Sequence, residues 1–217
     1  MNQSSNNRLN TYVLFSGLAK GADSLFMNLA SKYGVGRQIH IRPVGNLGNT
    51  KNLPNGVEVL VAQSEHLLKA CDKIKELLGV ELKYGMGSNL LARNYYQVNK
   101  SESVLAVAHL NQDNTVKGGT SVAVDLAIVL NLPVYVLDVF TEKWFIYDYT
   151  TKSFTAFNGT PPLTRKFTGV GTRDIENYNI KDKLTGEWVP RAEFVGQAKA
   201  TRLVALMEQV FIQAVNN

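Results

Sequence analysis

The sequence has little cysteine, little histidine and no long apolar run, and each shortage argues against a class of protein. The one cysteine, Cys71, excludes an internal disulfide and argues against a cysteine-based zinc site. The three histidines, His40, His66 and His109, have no metal-ligand spacing, so we expect no metal site. No apolar run approaches the roughly 18 residues of a membrane-spanning helix, which predicts no membrane association.

The beginning of the chain is polar and rich in asparagine and serine, without the apolar core of a signal peptide. We therefore predict a flexible tail over residues 1–10 and a reducing, cytoplasmic compartment. The rest is ordinary for a soluble globular protein, with 45% hydrophobic and 19% charged residues. A length of 217 residues fits one domain, which we predict over residues 11–217.

The net charge of +5 favours anionic partners, but the basic residues are dispersed along the chain. A modest, dispersed excess attracts nucleotides as well as nucleic acid. The charge by itself therefore does not choose between these partners.

Residues 12–23 (YVLFSGLAKGAD) form the stretch around which the other motifs are interpreted. Four apolar residues end at Ser16-Gly17, and a helical pattern opens after Gly21, which predicts a buried strand, a Gly-rich turn and a helix N-terminus. Glycine lets the backbone approach a ligand closely, and the free amides of a helix N-terminus attract an anion. Lys20 adds a cation there. The alternative is an ordinary strand-to-helix turn with a solvated lysine.

Strands and helices alternate along most of the remaining chain, which predicts an α/β fold with a largely parallel sheet and helices on both faces. Residues 144–157 (WFIYDYTTKSFTAF) predict a β-hairpin insertion. Residues 164–217, with a strand, a Gly-rich turn and a long terminal helix, should complete the same domain. In such sheets, ligands bind at the carboxyl ends of the strands. The polar loop at residues 45–56 is either a functional lid or a surface insertion.

Three motifs occur at a sensible spacing: SGLAKGAD at residues 16–23, Arg93-Asn94 with the apolar strand at residues 103–107, and a GGT turn at residues 118–120. Together they resemble the SLOG superfamily, a Rossmann-like group that contains the DNA-processing protein A (Smf) family and the LONELY GUY phosphoribohydrolases. The first motif resembles the SGLARGID signature of the DNA-processing proteins. Small SLOG proteins of phages and bacteria that are known as nucleotide-binding proteins are also similar. The resemblance implies a Rossmann-like fold.

A fourth motif, GVGTR at residues 169–173, resembles the GSR turn of the superfamily but lies out of order. In the family this turn precedes the SGLA strand, whereas here it comes near the C-terminus. A circularly permuted domain explains the order, because the termini of compact domains are often close together. This interpretation predicts that the strands at residues 12–15 and 167–169 are neighbours in one sheet.

The resemblance implies a cleft for a nucleotide-type, phosphorylated ligand, with no cofactor required. Backbone amides of the Gly-rich turns would bind phosphate oxygens, and Lys20 and Arg93 would do so from solvent-accessible positions. Asp138, at a strand end, would accept from ribose hydroxyls or else cap a loop. The implied ligand-binding residues are Ser16, Gly17, Lys20, Gly21, Asp23, Arg93, Asn94, Gly118, Gly119, Thr120, Ser121, Asp138, Gly171, Thr172 and Arg173.

The similarity to the LONELY GUY enzymes is partial. Their GGxGTxxE segment uses its glutamate to assist cleavage of an N-glycosidic bond, and Asp125 occupies the glutamate's place here. The carboxylate of an aspartate reaches about one methylene less far, which weakens its positioning for catalysis. Asp125 is therefore either a catalytic candidate or a solvent-facing helix residue.

Three functions remain open from the sequence. The first is a module that binds a nucleotide, such as an ADP-ribose-type signal, without changing it. The second is an N-glycoside or phosphoribosyl hydrolase. The third is single-stranded DNA binding, for which Tyr95 and Tyr96 are candidates but no dense basic cluster accompanies them. The long apolar terminal helix, with Leu206, Val210 and Phe211, predicts a homodimer or higher homo-oligomer.

Overall fold

The computed structural model describes residues 8–45, 53–83, 85–181 and 185–217, and this part of the chain forms ten strands and five helices. The strands are β1 (Val13–Ser16), β2 (Arg37–Pro43), β3 (Val57–Ala62), β4 (Ser103–Ala108), β5 (Val134–Asp138), β6 (Lys143–Asp148), β7 (Ser153–Ala156), β8 (Lys166–Gly171), β9 (Asn179–Lys181) and β10 (Trp188–Pro190). The helices are α1 (Ala22–Lys32), α2 (Ser64–Leu78), α3 (Met86–Val98), α4 (Thr120–Val129) and α5 (Gln197–Asn216).

Eight of these strands form one sheet in the order β3-β2-β1-β8-β4-β5-β6-β7. The first six run parallel, and the hairpin of β6 and β7 adds two antiparallel strands at one edge. The predicted α/β fold with a largely parallel sheet and a hairpin insertion is thus confirmed. Strands β1 and β8 pair directly, with Leu14 opposite Phe167, which is the neighbouring position that the permuted order of motifs predicts.

Helices cover both faces of the sheet, as predicted. On one face α1 and α5 pack on the sheet, with Phe26 of α1 and Phe211 of α5 fully buried. On the other face lie α2, α3 and α4, whose apolar side chains meet the second set of strand residues. All six residues of β4 (SVLAVA) are buried, because a central parallel strand has helices over both of its faces.

The apolar residues of the terminal helix that predicted self-association pack within the chain itself. Val210 and Phe211 are fully buried in the core, and Leu206 packs against that core. The residues that suggested a homodimer therefore do not form a free apolar stripe. None of the helices in the described residues is long and apolar enough to span a bilayer.

Two segments form elements that their local sequence does not favour. The sequence GMGSN at residues 85–89 contains two glycines, yet α3 begins at Met86 and Asn89 is buried in its first turns. Here tertiary packing outweighs the low helix propensity of Gly87. The polar segment before residue 190 contains the antiparallel pair β9 and β10.

The start of the chain is partly packed. Residues 1–7 of the predicted tail, and residues 46–52 of the predicted loop, lie outside the described residues. Arg8 donates a hydrogen bond to the Val215 carbonyl oxygen at 3.1 Å, and Leu9 is fully buried. Residues 8–10 are therefore not a flexible tail, because Leu9 belongs to the core beneath α1 and α5.

Candidate functional site

A cavity of about 450 Å³ opens at the carboxyl ends of the central strands. Parallel strands place all of their following loops at this edge of the sheet, so residues distant in sequence meet there. The predicted site residues that line the cavity are Asp23, Arg93, Asn94, Gly118, Gly119, Thr120, Gly171, Thr172 and Arg173. The predicted residues that do not line it are Ser16, Gly17, Lys20, Gly21, Ser121, Asp138 and the candidate catalytic Asp125.

The N-terminus of α4 is open to the cavity. Gly118 and Gly119 are exposed, and within the described part of the chain no side chain caps the helix at Gly119. Gly118 has a φ of +77°, and a side chain there would have free space around it. Asn94 fixes the turn from below, because its Nδ2 donates to the Gly119 carbonyl oxygen at 3.3 Å. The Ser121 amide donates to the Gly118 carbonyl oxygen at 3.1 Å, and among the described residues no carboxylate bonds to the turn of Gly118 and Gly119, which lines the cavity.

The N-terminus of α1 is closed by groups of the protein itself. The Gly21 amide donates to Oε2 of Glu176, and the Ser24 hydroxyl donates to the same oxygen at 3.1 Å. The next amide, of Ala22, donates to the Thr172 carbonyl oxygen at 3.0 Å. Gly21 has a φ of +89°, and a β-carbon there would overlap that carbonyl group. The glycine is thus required by close packing against the loop after β8.

Two other residues of the SGLAKGAD motif make contacts within the protein. The Ser16 hydroxyl is fully buried and donates to the Gly169 carbonyl oxygen at 2.7 Å, which links β1 to β8. Lys20 is exposed, and its Nζ lies 4.3 Å from the centroid of the Tyr178 ring, a cation–π contact. Neither side chain reaches the cavity.

Arg93 is buried, so the predicted solvent-accessible position of this cation is wrong. Only 7% of the residue is exposed, and Nη1 donates to the Gly17 carbonyl oxygen. Its Nη2 lies 3.4 Å from Oδ2 of Asp23, which is also buried. Asp23 in turn accepts from the amide of Gly171 at 3.2 Å. The long side chain of Arg93 spans from α3 to α1 and ties both helices to the end of β1.

Burial is the largest influence on the pKa values of both Asp23 and Arg93. Loss of water raises the pKa of Asp23, although the Arg93 guanidinium and three backbone amides act in the opposite direction. Burial also lowers the pKa of Arg93. Nε of Arg93 has no hydrogen-bond partner in the described part of the chain. The pair is therefore a structural element whose disruption leaves a buried charge without a partner.

Asp138 caps a loop. Its Oδ1 accepts from the Leu110 amide at 3.0 Å, and its Oδ2 accepts from the amide and hydroxyl of Thr141 at 2.8 and 2.7 Å. Burial favours the protonated acid, but these hydrogen bonds together hold the pKa of Asp138 below its usual value. Both oxygens are used inside the protein, so of the two predicted roles the structure shows the cap.

A cluster that the sequence patterns did not reveal lies at the other wall of the cavity. Oδ1 of Asp174 accepts a hydrogen bond from Nη2 of Arg191 at 2.7 Å, and Nε2 of His109 lies 3.1 Å from Oδ2. Burial favours protonation, but hydrogen bonds from Arg191, Thr172 and His109 hold the pKa of Asp174 below its usual value. Residues 109, 174 and 191 follow β4, β8 and β10, so only the sheet order brings them together.

Asp125 is exposed on α4 and lies outside the cavity lining. Thr120 and Ala123 are the α4 residues that line the cavity, and a residue two positions after Ala123 points to a different side of the helix. Within the described ranges, no three His, Cys, Asp or Glu side chains are placed to hold a metal ion.

Comparison with known proteins does not assign a family. No protein-family model matches the sequence, and no curated protein matches it. Among solved structures, the chain is similar to the Putative molybdenum carrier protein from Syntrophus aciditrophicus, with 13% identity and a TM-score of 0.44, covering 92% of this chain and 94% of that chain. A likeness at this level assigns no ligand, and membership of the SLOG superfamily stays a prediction.

Proposed function

We propose that the protein binds a nucleotide or nucleotide-derived phosphorylated ligand in this cavity, with a phosphate at the N-terminus of α4. The open, uncapped turn of Gly118 and Gly119 supports this proposal most directly. Helix N-termini attract phosphate through their free amides and the helix dipole. The volume of about 450 Å³ is within the range of small-molecule sites.

Two exposed cations flank this turn. Lys117 precedes it directly, and Arg173 follows β8 on the facing wall of the cavity. In the described part of the chain neither side chain forms an ion pair with a carboxylate, whereas Arg191 is paired with Asp174. Lys117 and Arg173 are therefore the cations that we assign to the ligand's phosphate groups.

The position of Asp125 disfavours the hydrolase alternative. A general acid or base must come within hydrogen-bond reach of the reacting group, and Asp125 does not line the cavity. Tyr95 and Tyr96 line a separate groove with Lys69 and Lys73, so they do not extend the cavity into a strip for single-stranded DNA. We therefore propose ligand binding without turnover, and ADP-ribose-type compounds belong to the class to be tested.

The proposal is tested with AMP, ADP and ADP-ribose by isothermal titration calorimetry. Lys117→Ala and Arg173→Ala should each weaken binding about tenfold, because each removes a charge-assisted hydrogen bond. Lys100→Ala is the matched control, since Lys100 is an exposed lysine just before β4, at the opposite edge of the sheet. Chromatography of the recovered nucleotide should show it intact.

Equal binding by wild type and both variants would contradict the assignment of the phosphate to α4. Release of free base would instead support the hydrolase. Self-association is a separate prediction, and sedimentation at micromolar concentration tests it.

A further inference from the structure

The anion-binding groups of α1 already hold an anion, which is the carboxylate of Glu176. This residue lies 155 positions from Gly21 in the sequence and reaches α1 from the segment between β8 and β9. Its Oε2 accepts from a backbone amide at the helix N-terminus and from the Ser24 hydroxyl. These are the donors that a phosphate oxygen would use at such a turn.

The charges around this turn favour further negative charge. Three cations lie at it: Lys20 belongs to the turn, Arg93 donates to the Gly17 carbonyl oxygen, and the backbone of Arg173 packs against Gly21. Among the described residues, Glu176 and Asp23 are the carboxylates that bond to the turn. Three cations against two carboxylates leave one positive charge in excess among these groups.

The cavity reaches the N-terminus of α4 and the residues on either side of Gly21, although Gly21 itself does not line it. Ala19 and Asp23, on either side of Gly21, line it together with Gly118 and Thr120 of the α4 turn. A ligand that occupies the cavity with one phosphate at α4 therefore lies beside the turn that Glu176 fills.

We infer that Glu176 is a built-in competitor for the ligand's second anionic group. On the proposed function, on which this inference rests, a ligand with one phosphate binds at α4 and leaves Glu176 in place. A ligand with a second phosphate displaces the Glu176 carboxylate from Gly21 and Ser24 and takes over both donors. Glu176 thereby sets the preference between nucleoside monophosphates and diphosphates.

The displacement needs only a movement of the Glu176 side chain. The neighbouring Ile175 is 3% exposed and packed in the core beneath α1 and α5. The Asp174 carbonyl oxygen accepts from the Val195 amide at 2.9 Å, which also fixes the backbone. Glu176 itself is half-buried, so its carboxylate can turn towards water while the main chain stays anchored.

The experiment compares ADP and AMP affinities of the wild type, Glu176→Gln and Glu193→Gln. Gln keeps a neutral acceptor for the Gly21 amide but loses the charge, and hydrogen bonds to charged groups are about twice as strong as neutral ones. ADP binding should tighten about tenfold in Glu176→Gln, while AMP binding should stay within about twofold. Glu193 is the matched control, because it also lines the cavity but does not touch α1.

The outcomes separate a failure of the Glu176 competition from a failure of the proposed nucleotide binding. In Glu193→Gln both nucleotides should change alike. If Glu176→Gln tightens ADP and AMP equally, the effect is one of general charge and the competition is refuted. Unchanged or weaker ADP binding, with the wild type still binding AMP, refutes the competition alone. If no protein binds either nucleotide, the proposed function fails and this inference with it. Glu176→Ala, which also removes the acceptor, should repeat the selective gain for ADP.

Discussion

The N-termini of α1 and α4 lie at the same cavity, but different groups surround them. At α1, Glu176, Ser24 and the Thr172 carbonyl group satisfy the first turn. At α4, the turn of Gly118 and Gly119 is exposed, and no side chain of the described residues caps it. Two Gly-rich turns of similar appearance therefore differ in occupancy: a carboxylate of the protein fills one, and the other is open to a ligand.

The difference follows from what packs on each turn. The α1 turn is pressed against the loop after β8 and lies over the buried pair of Arg93 and Asp23. At the α4 turn, Asn94 and Leu91 of α3 lie against Gly119. We therefore expect substitutions at α1 to change stability and substitutions at α4 to change binding.

The largest effect on stability is expected for Arg93→Ala. It should lower the free energy of unfolding by about 4 kcal/mol, because Asp23 is left buried without its partner. Urea unfolding followed by circular dichroism measures this. Arg173→Ala, an exposed cation at the same cavity, should change stability by less than about 0.5 kcal/mol. A small loss in Arg93→Ala would show that the pair does not hold α1 in place.

The two glycines at positive φ give a matched pair. Gly21→Ala should cost about 3 kcal/mol, since the strained backbone and the overlap with the Thr172 carbonyl group act together. Gly118→Ala should cost about 1 kcal/mol, because only the backbone conformation opposes it. Thermal or urea unfolding compares the two variants. Equal losses would contradict the difference in packing between the turns.

A buried histidine in β2 should make the stability of the protein depend on pH. His40 in β2 is fully buried, and burial together with the Arg93 charge lowers its pKa from 6.5 to about 4. The unfolded chain therefore binds a proton at a pH where the folded protein does not. The stability from neutral His40 is fully present above pH 6.5 and is lost as the pH falls towards 4, by about 3 kcal/mol.

Urea unfolding between pH 7 and pH 4 checks this for the wild type and for His40→Gln. Asp23, whose pKa is raised, acts in the opposite direction, because its contribution decreases as the pH rises above 3.8. Since both proteins contain Asp23, the difference between them isolates His40. His66→Gln is the control, because His66 is exposed on α2. An identical slope in His40→Gln would refute the assignment.

The smallest expected loss of stability concerns the hydroxyl residues in the first turns of α1 and α4. Ser24→Ala should cost about 1 kcal/mol, because the one proton of the hydroxyl is shared between the Gly21 carbonyl oxygen at 2.9 Å and Oε2 of Glu176 at 3.1 Å. Thr120→Ala should cost less than about 0.5 kcal/mol, since α4 has no side-chain cap to lose. The shift in the urea midpoint measures both, and a larger loss at Thr120 would mean that the α4 turn is also structural.

The local pattern of the sequence was sufficient for the α/β class and for the first strand and helix, but not for the order of the strands in the sheet. The apolar run before Ser16 and the helical spacing after Gly21 predict β1 and α1, and the same alternation predicts the α/β sheet. This works because burial of one face fixes the period of apolar residues in each element. The position of strand ends at one edge of a parallel sheet also placed Arg173 and Gly118 at a common cleft.

Only the tertiary structure determined which hydrogen-bond donors and acceptors at the carboxyl ends of the strands already have partners within the protein. Glu176 caps a helix 155 positions away, and Arg93 bonds to Gly17 from 76 positions away. His109, Asp174 and Arg191 meet because β4 and β8 are neighbours and β10 leads back to the cavity. No local pattern encodes such partners, since a side chain's hydrogen bonds depend on which loops the sheet order places beside it. The sequence by itself therefore identified the two turns, and the packed structure determined which of them is open.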